Sequence, residues 1–294
     1  MAAPTQISEI VTVTSRGYLP GTQVMLHSFL HHNPWFDGQI TILHDDLLAD
    51  DMATLRLGFP AITFVGPSTE LTAAMDTLVA DFPNLKDRQR RFLSLEAFHP
   101  DRIGRALFCD GDLLFRNDVS AILGANAQLI ACGDRAQIAG AGRDPASMKE
   151  RSACDPKTDS DSFNAGLMVI DESLRTEIVW NQLLGQLDPQ AWQSVTSDHT
   201  DQTVFNRQFG NQVTLADPAY NYLVGHAGRV RSAIASPMSD AKVLHFNGPA
   251  KPWNFGAHLA ATANDASFVK AMQHWFDAYI EFLSSYHFAL GSPD

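Results

Sequence analysis

Cysteine is scarce in this 294-residue chain: there are three, Cys109, Cys132 and Cys154, and no two form a Cys-x-x-Cys pair. That spacing excludes a zinc knuckle and a thioredoxin-type site. So sparse and odd a set also argues against a disulfide framework and fits a reducing compartment. No run of about 18 apolar residues occurs, so no helix is expected to span a membrane. Met1 to Ile10 lack a basic segment followed by an apolar one, which predicts no signal peptide and a cytoplasmic address. Positive charge is short as well, with 21 Lys and Arg against 33 Asp and Glu and a net charge of -12. A surface of that balance does not suit nucleic acid or an anionic bilayer. There is no internal repeat and no low-complexity linker.

What the chain does have is an ordinary globular composition, 45% hydrophobic and 18% charged, with ample length for a sizeable core. Ile10-Val-Thr-Val-Thr14 is a short β-branched strand. Gly21 to His32 carries apolar residues at helical spacing, with Pro34 just beyond. Strands at 40–43 and 62–65 alternate with a helix at 50–57, and this rhythm predicts an α/β domain with a largely parallel sheet. Helices are expected at 70–81, 86–98 and 173–187, and further strands at 105–109, 129–132 and 163–170. Arg143 to Ser162 is polar and reads as a mobile loop of the kind that serves as a lid. The expected organisation is one catalytic α/β domain over residues 1–255 and a helical C-terminal extension over 256–294.

Asp110-Gly111-Asp112 follows the strand that ends at Cys109. In an extended segment, side chains two apart face the same side, so both carboxylates converge. Two such groups repel unless a cation lies between them, and Mn²⁺ or Mg²⁺ matches oxygen ligands of this hardness. Ligands of open α/β sheets also bind at the carboxyl ends of strands. A polar turn eased by Gly111 is the plain alternative. Further on, Val243-Leu-His245-Phe-Asn-Gly248-Pro-Ala-Lys251-Pro-Trp253 places an imidazole at a strand end and an ammonium in a proline-fixed loop. His245 reads as a metal ligand or a core histidine, and Lys251 as a phosphate contact or a solvated charge. Phe163-Asn164-Ala165-Gly166 opens a strand with an amide and a glycine, which permits close backbone approach of a ligand. Asp201-Gln202 begins a helix, with Asp201 as its cap.

Together, and in this order, these four motifs resemble the retaining glycosyltransferases of family 8, the family that includes glycogenin. Ile10-Val-Thr-Val-Thr-Ser15-Arg-Gly-Tyr18 is similar to that family's nucleotide-binding first strand and turn. The resemblance spans residues 9 to 253 and implies a glycosyltransferase A-type fold, Mn²⁺ (with Mg²⁺ an acceptable substitute), a nucleotide-sugar donor of the UDP-hexose kind and a glycan acceptor. It implies Asp110, Asp112 and His245 as metal ligands. Val13, Thr14, Ser15, Tyr18, Gly111, Gly248 and Lys251 are implied on the nucleotide and its diphosphate. Arg91, with Arg90 as its competitor, Asp134, Asn164, Ala165 and Asp201 are implied at the donor sugar, and Gln202 with Asp201 at the reacting centre. Ser15 and Gly17 stand where the family commonly contacts uracil through Asp or Asn.

Two other classes fit parts of the pattern. A haloacid-dehalogenase-like phosphatase also uses Asp-x-Asp after a strand, but leaves the His245 motif unexplained. A non-catalytic nucleotide-sugar binder fits everything except a reason to retain Asp201-Gln202. His27, His31 and His32 sit near a helix end and read as partners of its dipole rather than a second metal site. The aromatic face of residues 268–288 suits core packing, a homodimer interface or a wall on the acceptor side. With only Lys270 against Asp277 and Glu281, it does not suit anionic lipid.

Overall fold

The computed structural model describes residues 6–134, 162–193, 195, 199–225, 237–254, 256, 257, 259 and 265–289. Apart from Ser162, the polar stretch 143–162 lies outside the described residues. The strands among the described residues are β1 (Glu9–Val13), β2 (Gln39–Leu43), β3 (Ile62–Val65), β4 (Ala106–Asp110), β5 (Leu113–Phe115), β6 (Leu129–Gly133), β7 (Phe163–Ile170), β8 (Val213–Ala216), β9 (Tyr222–Leu223) and β10 (Val243–His245). The helices are α1 (Leu19–His32), α2 (Ala49–Gly58), α3 (Thr69–Asp81), α4 (Glu177–Gly185), α5 (Pro189–Trp192), α6 (Thr200–Phe209) and α7 (Ala266–Ala289).

Seven strands form one sheet in the order β3-β2-β1-β4-β7-β6-β8. β1 to β4 run parallel, β7 is antiparallel to both β4 and β6, and β6 runs parallel to β8. Among these seven, β7 alone is therefore reversed. That reversal brings its first residues to the carboxyl ends of its neighbours: Asn164 pairs with Cys132 and Leu167 with Cys109. A smaller sheet, β5-β10-β9, continues from the end of β4. The central strands are mostly apolar because both faces of the sheet are covered there, whereas the edge strand β8 is partly exposed. Val11, Phe108 and Met168 pack into one layer, while Ile10, Leu107 and Val169 pack into the other.

α7 covers the small sheet and α1. Phe268, Ala271, Trp275 and Phe282 are buried along one face of it, while Val269, Ile280 and Leu283 remain exposed. Much of the expected aromatic face is thus core. No helix among the described residues is long and apolar enough to cross a membrane.

Two expected helices differ. Residues 83–98 form a 3-10 helix rather than an α-helix. Seven consecutive side chains, Phe92 to Phe98, are buried, and an α-helix with a single buried stripe has no place for such a run. The expected helix 173–187 is a 3-10 turn at Glu172–Leu174 followed by α4. Arg175 breaks it by turning inward, donating to the carbonyls of Ala97 (3.1 Å) and Gly104 (3.1 Å) and to Glu9 (2.9 Å). Thr176 then caps α4 by accepting from Val179 N. Arg102 and Thr41 also donate to the Glu9 carboxylate, so the buried acid is fully paired.

Candidate active site

The site forms where β4 passes into β5. Val13, at the end of β1, lies beside Asp110 at the end of β4, and Gly111 turns the chain into β5. β10 then pairs antiparallel with β5, setting His245 beside Leu113, and Phe246 N donates to Asp112 O at 3.0 Å. Gly111 has no room for a side chain, since a Cβ there would stand 2.8 Å from Thr22 Oγ1.

Asp110, Asp112 and His245 offer ligand atoms that all lie within 4.8 Å of one another, the one such group among the described residues. His245 Nε2 is 3.2 Å from Asp112 Oδ1 and 3.7 Å from Asp110 Oδ2. Lys251 Nζ donates to the Asp112 carboxylate and, at 2.7 Å, to Phe246 O. Burial alone would raise the Asp112 carboxyl, but Lys251 and His245 more than offset it and hold the group well below the usual carboxylate range. Asp110 is pushed up to about 7, first by burial and then by the charge of Asp112. Burial also works against the Lys251 charge, and Asp112 outweighs it, so the ammonium is raised.

The trio fits a hard divalent cation. Its donors are two carboxylates and an imidazole, a set suited to Mn²⁺. Asp112 Oδ1 is buried without a hydrogen-bond partner, an acceptor waiting for a charge. A cation there has to displace the proton of Asp110, so its affinity is expected to fall about tenfold per pH unit below the Asp110 pKa and level off above it. The sign follows for stability. Asp110 binds its proton more tightly folded than unfolded, so the metal-free protein loses stability as pH rises from the ordinary carboxylate range to about 7. Added Mn²⁺ is therefore expected to raise the melting temperature more at about pH 7.5 than at about pH 5.5. An equal shift at both would contradict the assignment.

The expected nucleotide-side residues gather around this corner. Thr14 Oγ1 is hydrogen-bonded to Thr22 Oγ1 at 2.6 Å, and Ser15 O accepts from Tyr18 N at 2.8 Å. Tyr18 packs edge-on against Trp253 with ring centroids 5.4 Å apart, and Lys251 Nζ lies 5.6 Å from its ring centre. Trp253 Nε1 donates to Gly17 O at 3.0 Å, tying the first turn to the loop after β10. Gly248 in that loop has φ +87°, a backbone conformation suited to glycine.

On the other side, Gln202 Nε2 donates to Asp134 at 2.6 Å, and Asn164 Nδ2 and Ala165 N donate to Gln202 Oε1 at 3.1 and 3.4 Å. Burial raises Asp201, while the nearby Arg91 charge and a 3.0 Å hydrogen bond from Ser94 restrain it. Arg90 instead pairs with Asp45 (2.6 Å) and Asp46 (3.1 Å), while the charge of Arg91 is the one felt by Asp201. Asp201 is not the helix cap: α6 begins at Thr200 with His199 in the cap position, and Asp201 lies in the first turn, where an acid suits the helix dipole.

Sequence reasoning missed Asn221 and Asn206. Asn206 brackets the start of β7, accepting from Phe163 N (2.7 Å) and donating to Phe163 O (2.8 Å). Asn221 joins His245 to Asn164. A single amide flanked by two tyrosines just before a strand was the available signal. The histidines of α1 stand elsewhere. The hydrogen bonds that cap the helix come from Asn33, whose backbone N and Nδ2 both reach Phe29 O at 2.9 Å. His27, His31 and His32 line a cavity of about 160 Å³ with His274 and Glu281 of α7, and burial lowers His27.

Several solved structures share this architecture. The galactosyltransferase LgtC, solved with donor and acceptor sugar analogues, is 18% identical, with a TM-score of 0.67 over 93% of this chain and 95% of that one. The glycosyltransferase GlyE of Streptococcus pneumoniae is 16% identical, with a TM-score of 0.58 over 94% of this chain and 64% of that one. Mouse xyloside xylosyltransferase 1 is 14% identical, with a TM-score of 0.57 over 82% of this chain and 98% of that one. At these identities the likeness is one of fold, and that fold is glycosyltransferase A-type. No curated protein matches in sequence. The family description "Glycosyl transferase family 8", by contrast, matches residues 9–257. A match over that much of the chain settles membership: the protein belongs to glycosyltransferase family 8 and is a retaining glycosyltransferase.

Proposed function

We propose that the enzyme transfers a hexose, glucose or galactose, from its UDP donor to a hydroxyl of a glycan acceptor, with Mn²⁺ as cofactor and by front-side attack. The observation that carries this reading is the Asp110–Asp112–His245 cluster, with Asp112 and His245 buried, Asp110 partly exposed and Lys251 against it. The phosphatase reading of Asp110 and Asp112 falls with the family membership.

Asp110, Asp112 and His245 would hold the cation, which when bound stabilises negative charge on the departing diphosphate. Lys251 would add a fixed positive charge, and the Gly248 backbone would face the same oxygens. Val13, Thr14, Ser15 and Tyr18 would line the nucleotide, and Arg91, Asp134, Asn164, Ala165 and Asp201 the sugar. Gln202 is committed through both amide atoms, and an amide is a weak nucleophile. It therefore orients the sugar rather than forming a covalent intermediate. The structurally similar LgtC also has a glutamine in its active site. The bond from anomeric carbon to diphosphate breaks, the acceptor oxygen bonds to the same face, and its proton passes to a leaving phosphate oxygen. The free thiols of Cys109 and Cys132 agree with a cytoplasmic setting.

The test is nucleotide release over a panel of UDP-, GDP- and dTDP-sugars with Mn²⁺, water serving as the slow acceptor. Release of UDP from UDP-glucose or UDP-galactose, abolished by chelation, is expected. Donor binding without release from any of them would overturn the transfer.

A further inference from the structure

Asn221 is 3% exposed and touches both halves of the site, yet nothing above gives it a role in the reaction. The direction of each hydrogen bond around it is set by the backbone. Gly166 N donates to Asn164 Oδ1 at 2.9 Å, and Ala165 N donates to Gln202 Oε1 at 3.4 Å. A peptide N–H can only donate, so these bonds fix the orientation of both side-chain amides. Asn164 Nδ2 then donates to Gln202 Oε1, and Gln202 Nε2 donates to the Asp134 carboxylate. In the other direction, the atom of Asn221 that lies 2.8 Å from Asn164 Oδ1 must be Nδ2. The remaining atom, Oδ1, lies 2.9 Å from His245 Nδ1 and can only accept. His245 therefore carries a proton on Nδ1, and Nε2 is the atom turned to Asp112 and Asp110.

We propose that Asn221 is a positioning residue: it fixes the tautomer and ring angle of His245 and couples the metal site to the donor-sugar pocket through Asn164 and Gln202. The inference rests on the reading of Asp110, Asp112 and His245 as the metal ligands. A histidine ligand whose second nitrogen loses its partner typically loses about 10- to 100-fold in metal affinity. Asn221 differs from an ordinary partner of this kind because its other hydrogen bond reaches the sugar side. Changes at one end are felt at the other.

Two substitutions separate its two jobs. Asn221→Ala removes both hydrogen bonds. Asn221→Asp keeps an acceptor for His245 Nδ1–H but sets a carboxylate oxygen against Asn164 Oδ1, which Gly166 N holds in place. Mn²⁺ affinity without donor, read by electron paramagnetic resonance, is expected to fall about 10- to 100-fold in Asn221→Ala and to stay close to the unaltered value in Asn221→Asp. The ¹⁵N resonances of His245 in metal-free protein should show a mixture of tautomers in Asn221→Ala and protonated Nδ1 in Asn221→Asp. The donor KM of Asn221→Asp should rise about tenfold, the cost of a misaligned buried amide. Unchanged Mn²⁺ affinity and tautomer in Asn221→Ala would overturn the proposal, as would equal metal loss in both variants. If Asn221→Ala does not fold, Asn221→Asp decides alone: retained metal with weakened donor supports the coupling, and lost metal or an unchanged donor KM refutes it. Asp112→Asn and His245→Ala serve as references. Should the unaltered enzyme bind no Mn²⁺, or these two bind it as well as the unaltered enzyme does, the metal reading has failed and not merely the role of Asn221.

Discussion

Asp112→Asn is expected to lower donor turnover by about 1,000-fold or more while leaving a folded protein. Removing one preorganised charge from the stabilisation of a leaving group costs about 100- to 1,000-fold, and on the proposed reading the lost carboxylate would also anchor the cation that supplies a second such charge. Asparagine is the informative replacement. Lys251 is 7% exposed and donates to Asp112 and Phe246 O, so alanine would leave a buried ammonium short of a partner and confuse lost chemistry with lost stability. The asparagine oxygen still accepts from Lys251. Nucleotide release, Mn²⁺ affinity and the melting temperature, measured together, check the outcome. Turnover within a fewfold of the unaltered enzyme would remove Asp112 from the site.

The second large effect is expected at a residue with no side chain at all. A Cβ at Gly166 would stand 2.4 Å from His245 Cε1 and 2.9 Å from both Asp110 Oδ2 and Asn164 Oδ1. Two of these neighbours are not loose ends. His245 is 3% exposed and held through Nδ1, and Asn164 is held by the Gly166 backbone itself. Gly166→Ala must therefore push against His245 and Asn164, proposed here as a metal ligand and a sugar-side amide, and against the Asp110 carboxylate as well. Misplacement of about 1 Å at a reacting centre costs on the order of 100-fold, and that is the expected loss in kcat. Gly185→Ala is the control, because nothing lies within 4 Å of a Cβ there. The same kcat for both variants would show that the close approach at Gly166 does not matter.

Much of the fold can be read from short apolar runs. Ile10-Val-Thr-Val, Ile40-Thr-Ile-Leu43 and Ala106-Leu-Phe-Cys109 are β-branched or aromatic, and each lies in the central sheet. Asp110 and Asp112 also meet locally, but through the turn at Gly111 and Asp112 between β4 and β5 rather than through the strand alternation expected of an extended segment. Features set by packing were not legible. Nothing in Pro83 to Phe98 marks a 3-10 helix, since its form follows from burial between neighbouring elements. The break at Arg175 depends on Glu9, which lies 166 residues away. Asn221 looks like any loop amide until β9 and β10 pair. The resemblance to the family closed part of that gap by naming His245 and Lys251, whose partners lie too far off in the chain for spacing to reveal.

The pairing of β5 with β10 also sets when this corner can mature during synthesis. Asp112 and Lys251 are 139 residues apart, and contacts at such separation are reached late because the intervening chain must first be ordered. β1 to β4 pair among themselves, so much of the sheet can assemble while the two aspartates still lack their imidazole and ammonium. Until β10 emerges, those carboxylates are an uncompensated pair of like charges. The half-made enzyme thus has a scaffold before it has a catalytic centre, and the last strand delivers charge balance and activity in one step.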